Sequence, residues 1–181
     1  MAKVFTNLTA VATGDLLAAT THNNLLTTVN NHTVPPMVRA ILTSNINPYT
    51  SGAVIAWQSE EYDTDGMWSA GVPTRIVIGT TGIYLVSLRA YLNSADTVTA
   101  ATFLFAKNAE ASATSTSVAG FAANSSSAVF GVNSSVMKLT AGDYLTAAIN
   151  PVGGSAYVIR GAASDAFDQA SFSATWLGNT A

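Results

Sequence analysis

One strand-like run, residues 82–92, constrains the fold more than any other part of the chain. Successive side chains of a β-strand point to opposite faces, so its residues divide into two alternating sets. One set is Tyr84, Val86, Leu88, Ala90 and Leu92, and the other is Ile83, Leu85, Ser87, Arg89 and Tyr91. Both faces are therefore largely apolar, whereas a strand in an isolated sandwich shows water a polar face. The second apolar face predicts that another surface covers it, and a neighbouring subunit is the one we favour.

Short β-rich runs alternate with turns from Met37 to the end of the chain. They cover residues 38–42, 54–57, 75–78, 83–92, 101–106, 129–136, 144–149, 156–159 and 171–177. Strands this short and frequent, with no long helical pattern among them, predict an all-β sandwich or jelly roll. The Ala-, Ser- and Thr-rich stretch 110–127 has low complexity, but Val118 and Phe121 indicate that part of it is also a strand.

The first 34 residues have a different pattern, and we predict that they form a docking or oligomerisation segment. Asp15 would lie near the exposed amides at the start of a helix over residues 15–31. That helix would carry a narrow apolar stripe among many Thr and Asn residues, which are poor helix formers, so it needs a partner to pack on. The stripe spacing suits a short parallel bundle around a threefold axis. The docking residues that we predict are Leu16, Leu25, Leu26 and Val29.

Two prolines, Pro35 and Pro36, end this segment. A proline disfavours the helical conformation of the residue before it, and two in succession stiffen the link. The expected organisation is therefore an N-terminal segment, residues 1–34, followed by a β-rich head, residues 35–181.

The composition indicates a surface that is partly hidden. Charged residues make up only 9% of the chain, against about 25% in typical soluble domains. A soluble monomer usually carries more surface charge, so we expect much of this surface to be buried in an assembly. The alternative is a Ser- and Thr-rich β-protein from a lineage that uses few charged residues.

Charge and hydropathy also exclude some partners. The seven Lys and Arg residues are scattered and the net charge is −3, so we expect no nucleic-acid binding. No apolar run approaches the ~18 residues of a membrane span, and the N-terminus lacks the pattern of a secretory signal. We therefore expect a protein made in the cytoplasm without an export signal.

Metal and cofactor sites find little support in the sequence. Asp63 and Asp65, followed by Gly66, have the spacing found at the start of a calcium loop, but the downstream Glu of an EF-hand is missing. An Asp-Gly pair is more often simply a turn, and both interpretations stay open. The two histidines, His22 and His32, have no nearby Cys or carboxylate, so we expect no zinc site within one chain and no cofactor.

The sequence predicts no enzyme activity. It contains no Gly-x-Ser-x-Gly elbow, P-loop or His-Glu-x-x-His motif, and the head has no histidine for a Ser-His-Asp arrangement. Two carboxylate pairs stay open for glycosidase chemistry, Glu60 with Glu61 and Asp165 with Asp168.

Trp68 is the candidate ligand-binding residue. It follows a turn with Met67, and we expect both side chains to be exposed. An exposed Trp beside acids can stack on a sugar ring, and it can also fill a subunit interface. Both roles stay open.

Four landmarks in chain order carry a resemblance to a known fold. An aromatic and acidic stretch, residues 57–68, precedes the Gly-x-Tyr strand at Gly82, and Lys107-Asn108 ends an apolar strand. A Leu-x-x-Gly-Asp motif follows at residues 139–143, and the chain closes on an aromatic strand, residues 171–178. This order resembles the C1q/TNF-like jelly roll over roughly residues 36 to 178. The resemblance implies an all-β jelly-roll β-sandwich behind the N-terminal segment.

A second resemblance concerns the N-terminal segment. Residues 13–26 resemble the leader found ahead of variable domains in many structural proteins of tailed bacteriophages. The resemblance implies a place in the virion. We expect a non-enzymatic homotrimer, anchored to capsid or tail proteins through its N-terminal segment, with Leu85, Arg89 and Tyr91 in the trimer interface.

Two roles within the virion are open. A tail or fibre-tip adhesin would bind a host-surface glycan, whereas a capsid decoration or head fibre would bind the shell. The alternative outside the virion is a C1q-like carbohydrate-binding lectin module of cellular origin.

Overall fold

The computed structural model describes residues 34–109, 111, 117–161 and 169–179, together with Asn23, Asn24 and Val29. Two compact units make up the chain, Met1–Val34 and Pro35–Ala181. In the first unit, Val29 is helical and exposed. The other predicted docking residues, Leu16, Leu25 and Leu26, lie outside the described residues, so the docking role stays a prediction. Within the described part of the chain, no helix is long and apolar enough to cross a membrane.

The second unit is built from antiparallel strands. Among the described residues these are β1 (Met37–Ile41), β2 (Ser59–Asp63), β3 (Ile76–Val77), β4 (Gly82–Lys107), β5 (Ser117–Leu139), β6 (Tyr144–Val152), β7 (Val158–Ile159) and β8 (Ser171–Gly178). Every pairing between them is antiparallel. The expected all-β head is confirmed.

Two long strands, β4 and β5, run through both layers of the sandwich. In the first layer, β4 pairs with β8 on one side and with the second half of β5 on the other, and β1 and β2 continue the sheet beyond β8. In the second layer, residues 100–107 of β4 pair with β6, and β3 lies beyond it. The β4–β5 register shifts between Asn93 and Val98, where the strands pass from one layer to the other.

The core lies between the two layers. The first alternating set of β4, from Tyr84 to Leu92, is fully buried, as the sequence pattern predicts. The Phe172 ring lies 5.9 Å from that of Trp57 and 6.1 Å from that of Phe105, measured between centroids. Fully burying a large apolar side chain contributes roughly 1.5–3 kcal/mol to the free energy of unfolding. These aromatic contacts between elements distant in sequence therefore hold the layers together.

Gly131 of β5 marks a close approach within this core. A Cβ atom at this position would lie 2.3 Å from Cε2 of Phe103, which is closer than any real contact. The absence of a side chain lets the Phe103 ring pack directly against the β5 backbone.

The strand boundaries differ from the sequence prediction in three places. The predicted runs 83–92 and 101–106 form one continuous strand. The prediction that part of residues 110–127 is also a strand is confirmed, because β5 begins at Ser117 and continues through the run predicted at residue 129. The predicted run 54–57 is not a strand, because its amides bond to separate partners: Ile55 N–H donates to Ala147 O and Trp57 N–H donates to Pro73 O.

The third difference is β2, which the sequence analysis missed. Its sequence, Ser-Glu-Glu-Tyr-Asp, carries no apolar alternation because it is an exposed edge strand paired with β1 alone in the first layer. Charged side chains on an edge strand discourage pairing with another chain. Glu61 also forms an ion pair with Arg39 of β1, with 2.8 Å between Oε2 and Nη1.

Candidate assembly face and ligand cleft

The outer surface of the first layer carries a row of apolar side chains on two neighbouring strands. Its members lie opposite one another in the β4–β5 ladder: Leu85 with Val136, Arg89 with Val132, and Tyr91 with Phe130. We call these six residues the apolar face. The exposed fractions are 61% for Val136, 49% for Phe130, 40% for Val132 and 39% for Leu85. Directly opposed side chains of an antiparallel pair are close neighbours, so these pairs form an outward-facing surface, which the Ser87–Ser134 pair interrupts between Leu85 and Arg89.

Arginine side chains cover the aromatic rings of this face. Cζ of Arg89 lies 5.5 Å from the centroid of the Phe130 ring, and Cζ of Arg160 lies 5.1 Å from that of Tyr91. Arg89 and Tyr91 are half-buried as a result. A guanidinium over an aromatic ring is a favourable pairing.

The structure thus brings the three predicted interface residues, Leu85, Arg89 and Tyr91, onto one face. It adds three residues of β5 that sequence reasoning missed. The run 129–136 was recognised as a strand, but its alternation alone does not say which set faces outward. Gly131 and Asn133 occupy the inner set, so the more apolar set lies outside, contrary to the usual rule.

Asp63, the first calcium candidate, caps the turn that follows β2. Its Oδ1 accepts a hydrogen bond from Asp65 N–H at 3.1 Å, and its Oδ2 accepts one from Trp68 N–H at 2.8 Å. Gly66 has a φ of 62°, which favours glycine. These contacts give Asp63 a structural part in the turn. Among the described residues no group of three or more His, Cys, Asp or Glu side chains could hold a metal ion, and the calcium interpretation stays a prediction.

Asp65, the second calcium candidate, lies in the same turn, and its side chain is directed toward the interior. Its Oδ2 is buried without a hydrogen-bond partner in the described structure, and it lies close to Gly79, where a Cβ would approach it to 2.6 Å.

The Tyr84 hydroxyl is buried near Asp65. This burial, together with the nearby Asp65 charge, raises the pKa of Tyr84 to about 12. The Tyr84 hydroxyl donates to Thr80 O at 2.6 Å.

The carboxylate pair of β2 stays an untested candidate. Glu60 and Glu61 are exposed neighbours, and the β1–β2 register shifts at this point, with Glu60 opposite Ala40 and Tyr62 opposite Arg39. Glycosidase chemistry needs two carboxylates that flank one bond. Asp165 and Asp168 lie outside the described residues.

Trp68 is half-buried, and its partner in the prediction, Met67, belongs to the core. The expectation that Met67 is exposed is therefore wrong. The cause is a contact that local sequence does not show: Met67 O accepts a hydrogen bond from Val77 N–H at 2.7 Å, which pulls the segment onto β3. The Trp68 indole N–H donates to Pro73 O at 3.3 Å, which fixes the plane of the ring.

A cleft of about 220 Å³ opens beside Trp68. Three separate segments form it, residues 66–69, 72–77 and 142–144. Cζ of Arg75 lies 4.2 Å from the centroid of the Tyr144 ring, and this stacked pair lines the same small concavity as Trp68. Sequence reasoning identified Trp68 alone, because the other parts come from distant positions.

Asp143, between the cleft residues Gly142 and Tyr144, joins two of the sequence landmarks. Its Oδ2 lies 2.6 Å from Lys107 Nζ and accepts a hydrogen bond from Thr140 N–H at 2.7 Å, and its Oδ1 accepts one from Asn108 Nδ2 at 2.7 Å. Asn108 Oδ1 in turn accepts from Tyr144 N–H at 2.8 Å. Burial would raise the pKa of Asp143, but the hydrogen bonds from Lys107, Thr140 and Asn108 and the charge of Lys107 outweigh it and lower this pKa.

Comparison with known proteins bears on the fold. No family model matches the sequence, and no curated protein sequence matches it. The structure is similar to the globular domain of zebrafish complement 1qA protein, with a TM-score of 0.54 and 9% identity over 80% of this chain and 99% of that chain. It is also similar to Eiger TNF from S. frugiperda, with a TM-score of 0.52 and 13% identity over 81% of this chain and 96% of that chain. The chain therefore has the C1q/TNF-like jelly-roll fold that its sequence landmarks predict.

Proposed function

We propose that this protein is a homotrimeric, non-enzymatic structural protein of the surface of a tailed-phage virion, anchored to capsid or tail proteins through residues 1–34. The apolar face carries the proposal. An isolated head would leave Leu85, Phe130, Val132 and Val136 in water side by side. Exposed apolar patches of this kind mark surfaces that another protein covers.

The composition of the apolar face suits a protein interface. Aromatic residues and arginine are enriched at the centres of interfaces, where they supply large contact areas and planar donors. Phe130 and Tyr91 supply aromatic surface, and the arginine over each ring supplies a planar guanidinium. Covering the exposed half of a Val, Leu or Phe side chain contributes on the order of 1 kcal/mol. Repeated over several residues in each of three subunits, this favours a closed assembly of identical chains.

The place in the virion rests on other observations. Residues 13–26 resemble the leader of tailed-phage structural proteins, and the chain carries few charges. A separate N-terminal unit suits a head attached to a larger particle. Three heads on one particle tip would bind more tightly than one head, even if each head makes only weak contacts. The reason is that linked sites act at a high effective concentration.

The experiment that tests assembly is a pair of matched variants. Val136→Glu places a charge at the most exposed position of the apolar face, whereas Val152→Glu places it at a comparably exposed valine of the second layer, 54% exposed. We expect light scattering to give a monomer for Val136→Glu and a trimer for Val152→Glu, because burying an unpaired charge is unfavourable. A Val136→Glu chain that remains trimeric contradicts the proposed interface.

The virion role is tested on purified particles. Quantitative mass spectrometry should detect the chain in virions, and its copy number separates the two roles. Many copies per particle indicate capsid decoration, and a few indicate a tail or fibre tip. Particles that lack the chain contradict the virion role and leave a cellular lectin module as the alternative, which the cleft beside Trp68 favours.

A further inference from the structure

A concavity of about 400 Å³ is lined by the connection from β1 to β2 and by Pro73. This volume falls within the ~300–1,000 Å³ of pockets that enclose small ligands. Residues between Ile46 and Gln58 form most of its wall, and we call it the Gln58 concavity. None of the described residues that line it is charged, and most are apolar. The lining therefore suits a neutral ligand.

Tyr49 fixes the shape of the wall. Its hydroxyl donates to Ala53 O at 2.6 Å and accepts a hydrogen bond from Ile149 N–H at 2.9 Å. Its own amide N–H donates to Tyr157 O at 2.7 Å. A site that is formed before the ligand arrives loses less entropy on binding.

Gln58 provides a donor whose orientation is fixed. Its Oε1 accepts hydrogen bonds from Ser44 N–H at 2.7 Å and Thr43 N–H at 2.8 Å, and both hydroxyl groups lie within 3.1 Å of it. Because backbone N–H groups only donate, they determine which side of the amide carries the oxygen and which carries Nε2. Thr43 and Ser44 do not line the concavity, whereas Gln58 does. In the part of the chain that the structure describes, Nε2 donates to no other residue, so a ligand acceptor can use it.

Trp57, the neighbour of Gln58, adds a second donor. It lines the concavity, it is 2% exposed, and its indole N–H is buried without a hydrogen-bond partner among the described residues. Buried donors without a partner are uncommon in folded proteins, because such a group loses its bond to water. A ligand suited to this wall therefore presents acceptor oxygens to the donors and apolar groups to the rest of the lining.

The Gln58 concavity lies at the end of β1 that is remote from the N-terminal segment. That segment joins the head at Pro35, before β1, whereas Gln58 N–H donates to Ile41 O at 3.0 Å, at the last residue of β1. The turn that carries Trp68 lies at the opposite end, where Thr64 Oγ1 donates to Pro35 O at 2.8 Å. If residues 1–34 anchor the chain, the end remote from Pro35 is the one available for host contact.

We propose that the Gln58 concavity binds a neutral 2-acetamido sugar at an exposed end of a host-surface glycan. The acetamido oxygen accepts a hydrogen bond from Gln58 Nε2, and the acetamido methyl group packs on the apolar lining beside Pro48. A volume of about 400 Å³ suits one sugar residue better than an extended peptide, which also offers carbonyl oxygens. This proposal names the ligand class for the host-glycan contact of the proposed function, and it rests on that function for its biological setting.

The test uses the full chain labelled with nitrogen-15 glutamine. Gln58 and Gln169 are the two glutamines of the sequence, and Gln169, whose Nε2 donates to Leu42 O at 3.0 Å, is outside the lining. Methyl N-acetyl-β-D-glucosaminide is the probe, and methyl β-D-glucoside is the same ring without the acetamido group.

We expect the probe to shift the side-chain amide resonances of Gln58 and leave those of Gln169 in place. The dissociation constant should be on the order of 1 mM, typical of a ligand of this size. The glucoside should bind at least ~10-fold more weakly, because it lacks the carbonyl acceptor. Equal shifts with both sugars, or no shift of the Gln58 resonances, overturn the proposal.

Gln58→Glu removes the donor and keeps the acceptor that fixes the loop. A carboxylate oxygen still accepts from Thr43 and Ser44, and more strongly because it is charged, so the thermal midpoint should not fall. Binding of the acetamido sugar, followed by saturation-transfer NMR, should weaken at least ~10-fold. Val152→Glu adds the same charge at an exposed position outside the concavity and should bind like the unmodified chain. Undiminished binding by Gln58→Glu contradicts the assigned donor.

A second variant obstructs the concavity. Ala56→Phe places a ring at an exposed lining position, and it should abolish binding of the acetamido sugar. Ala70→Phe makes the same change at an exposed position outside the lining and should leave binding intact. Equal binding by these two variants overturns the location of the site.

Two further measurements separate this proposal from its neighbours. N-acetylalanine methylamide, which has the acetamide group and no sugar ring, should bind at least ~10-fold more weakly than the acetamido sugar. Equal binding would assign the concavity to a peptide and overturn the sugar. Light scattering on the same samples tests the assembly: a trimer that gives no response to the sugar overturns the concavity and leaves the apolar face intact. A monomer that binds the sugar supports the concavity and contradicts the trimer.

Discussion

The two faces of β4 have similar side chains and different surroundings. On the inner face, Tyr84, Val86 and Leu88 are fully buried between the layers. On the outer face of the same strand, Leu85 is 39% exposed and the opposing Val136 is 61% exposed. The backbone, the ladder and the neighbouring strands are shared. The difference shows that the sandwich provides a cover for one face only.

The outer face is therefore unlike an ordinary solvent-facing sheet surface. Ser87 and Ser134 interrupt it, with a hydrogen bond of 2.8 Å between their hydroxyl groups. The pairs on either side, Leu85 with Val136, Arg89 with Val132 and Tyr91 with Phe130, are apolar, aromatic or arginine. A second copy of this surface would give it the cover that the inner face receives from the second layer.

The largest expected effect comes from the inner face. Leu88→Ala should lower the free energy of unfolding by about 2–5 kcal/mol, because the side chain is fully buried and its removal leaves a cavity. Leu85→Ala, the matched outer-face variant, should cost less than about 1 kcal/mol within one subunit. Urea unfolding monitored by tryptophan fluorescence measures both.

The dependence of the unfolding midpoint on protein concentration distinguishes the two faces further. If subunits cover Leu85, the unfolding midpoint of the unmodified chain rises with concentration, and Leu85→Ala reduces that dependence. The effect of Leu88→Ala should be present at every concentration. Equal losses for the two variants in dilute, monomeric samples would show that the two faces do not differ.

An intermediate effect is expected at Gly131, on the inner side of β5. Gly131→Ala should lower the free energy of unfolding by about 1–3 kcal/mol, because the added Cβ overlaps the Phe103 ring. Gly71→Ala is the control, since no atom lies within 4 Å of a Cβ added there. The thermal midpoints of the two variants provide the comparison, and a Gly131→Ala midpoint equal to that of Gly71→Ala would contradict the close packing.

The smallest effect is expected at Asp143, which belongs to neither face of β4. Its folded pKa lies below the ordinary value of 3.8, so its contribution to stability is present above that value and is lost as the pH falls toward the folded pKa. Asp143→Asn should cost about 1 kcal/mol at pH 7, as a surface ion pair does, and less at pH 3. Urea midpoints at the two pH values measure the difference, while the trimer mass at pH 7 should not change. A variant with the same loss at both pH values would contradict the role of the carboxylate charge.

Local periodicity explains which parts of the fold were predictable. The inner face of β4 was identified because its alternation is complete over residues 84–92. The strand β2 was missed because an exposed edge strand has no buried face to leave an apolar pattern. The run 54–57 gave a false strand, since Ile55 and Trp57 are buried by contacts with two different segments.

The candidate site was less predictable, because it depends on contacts between distant residues. Phe130 and Val136 join Leu85 only through the β4–β5 register, which the sequence pattern does not determine. Arg75 and Tyr144 are distant in sequence, and they meet because β3 pairs with β6. Trp68 was identified from its turn alone, but the cleft that it lines required the structure.

The most direct test of the central claim is the solution mass of the full chain beside that of a truncated chain beginning at Pro35. If the apolar face holds the assembly, light scattering should give about three times the monomer mass for both, with 18.6 kDa for one full chain. A trimeric full chain with a monomeric truncated chain would move assembly to the first 34 residues and contradict the role of the face. A monomeric full chain would contradict the trimer itself.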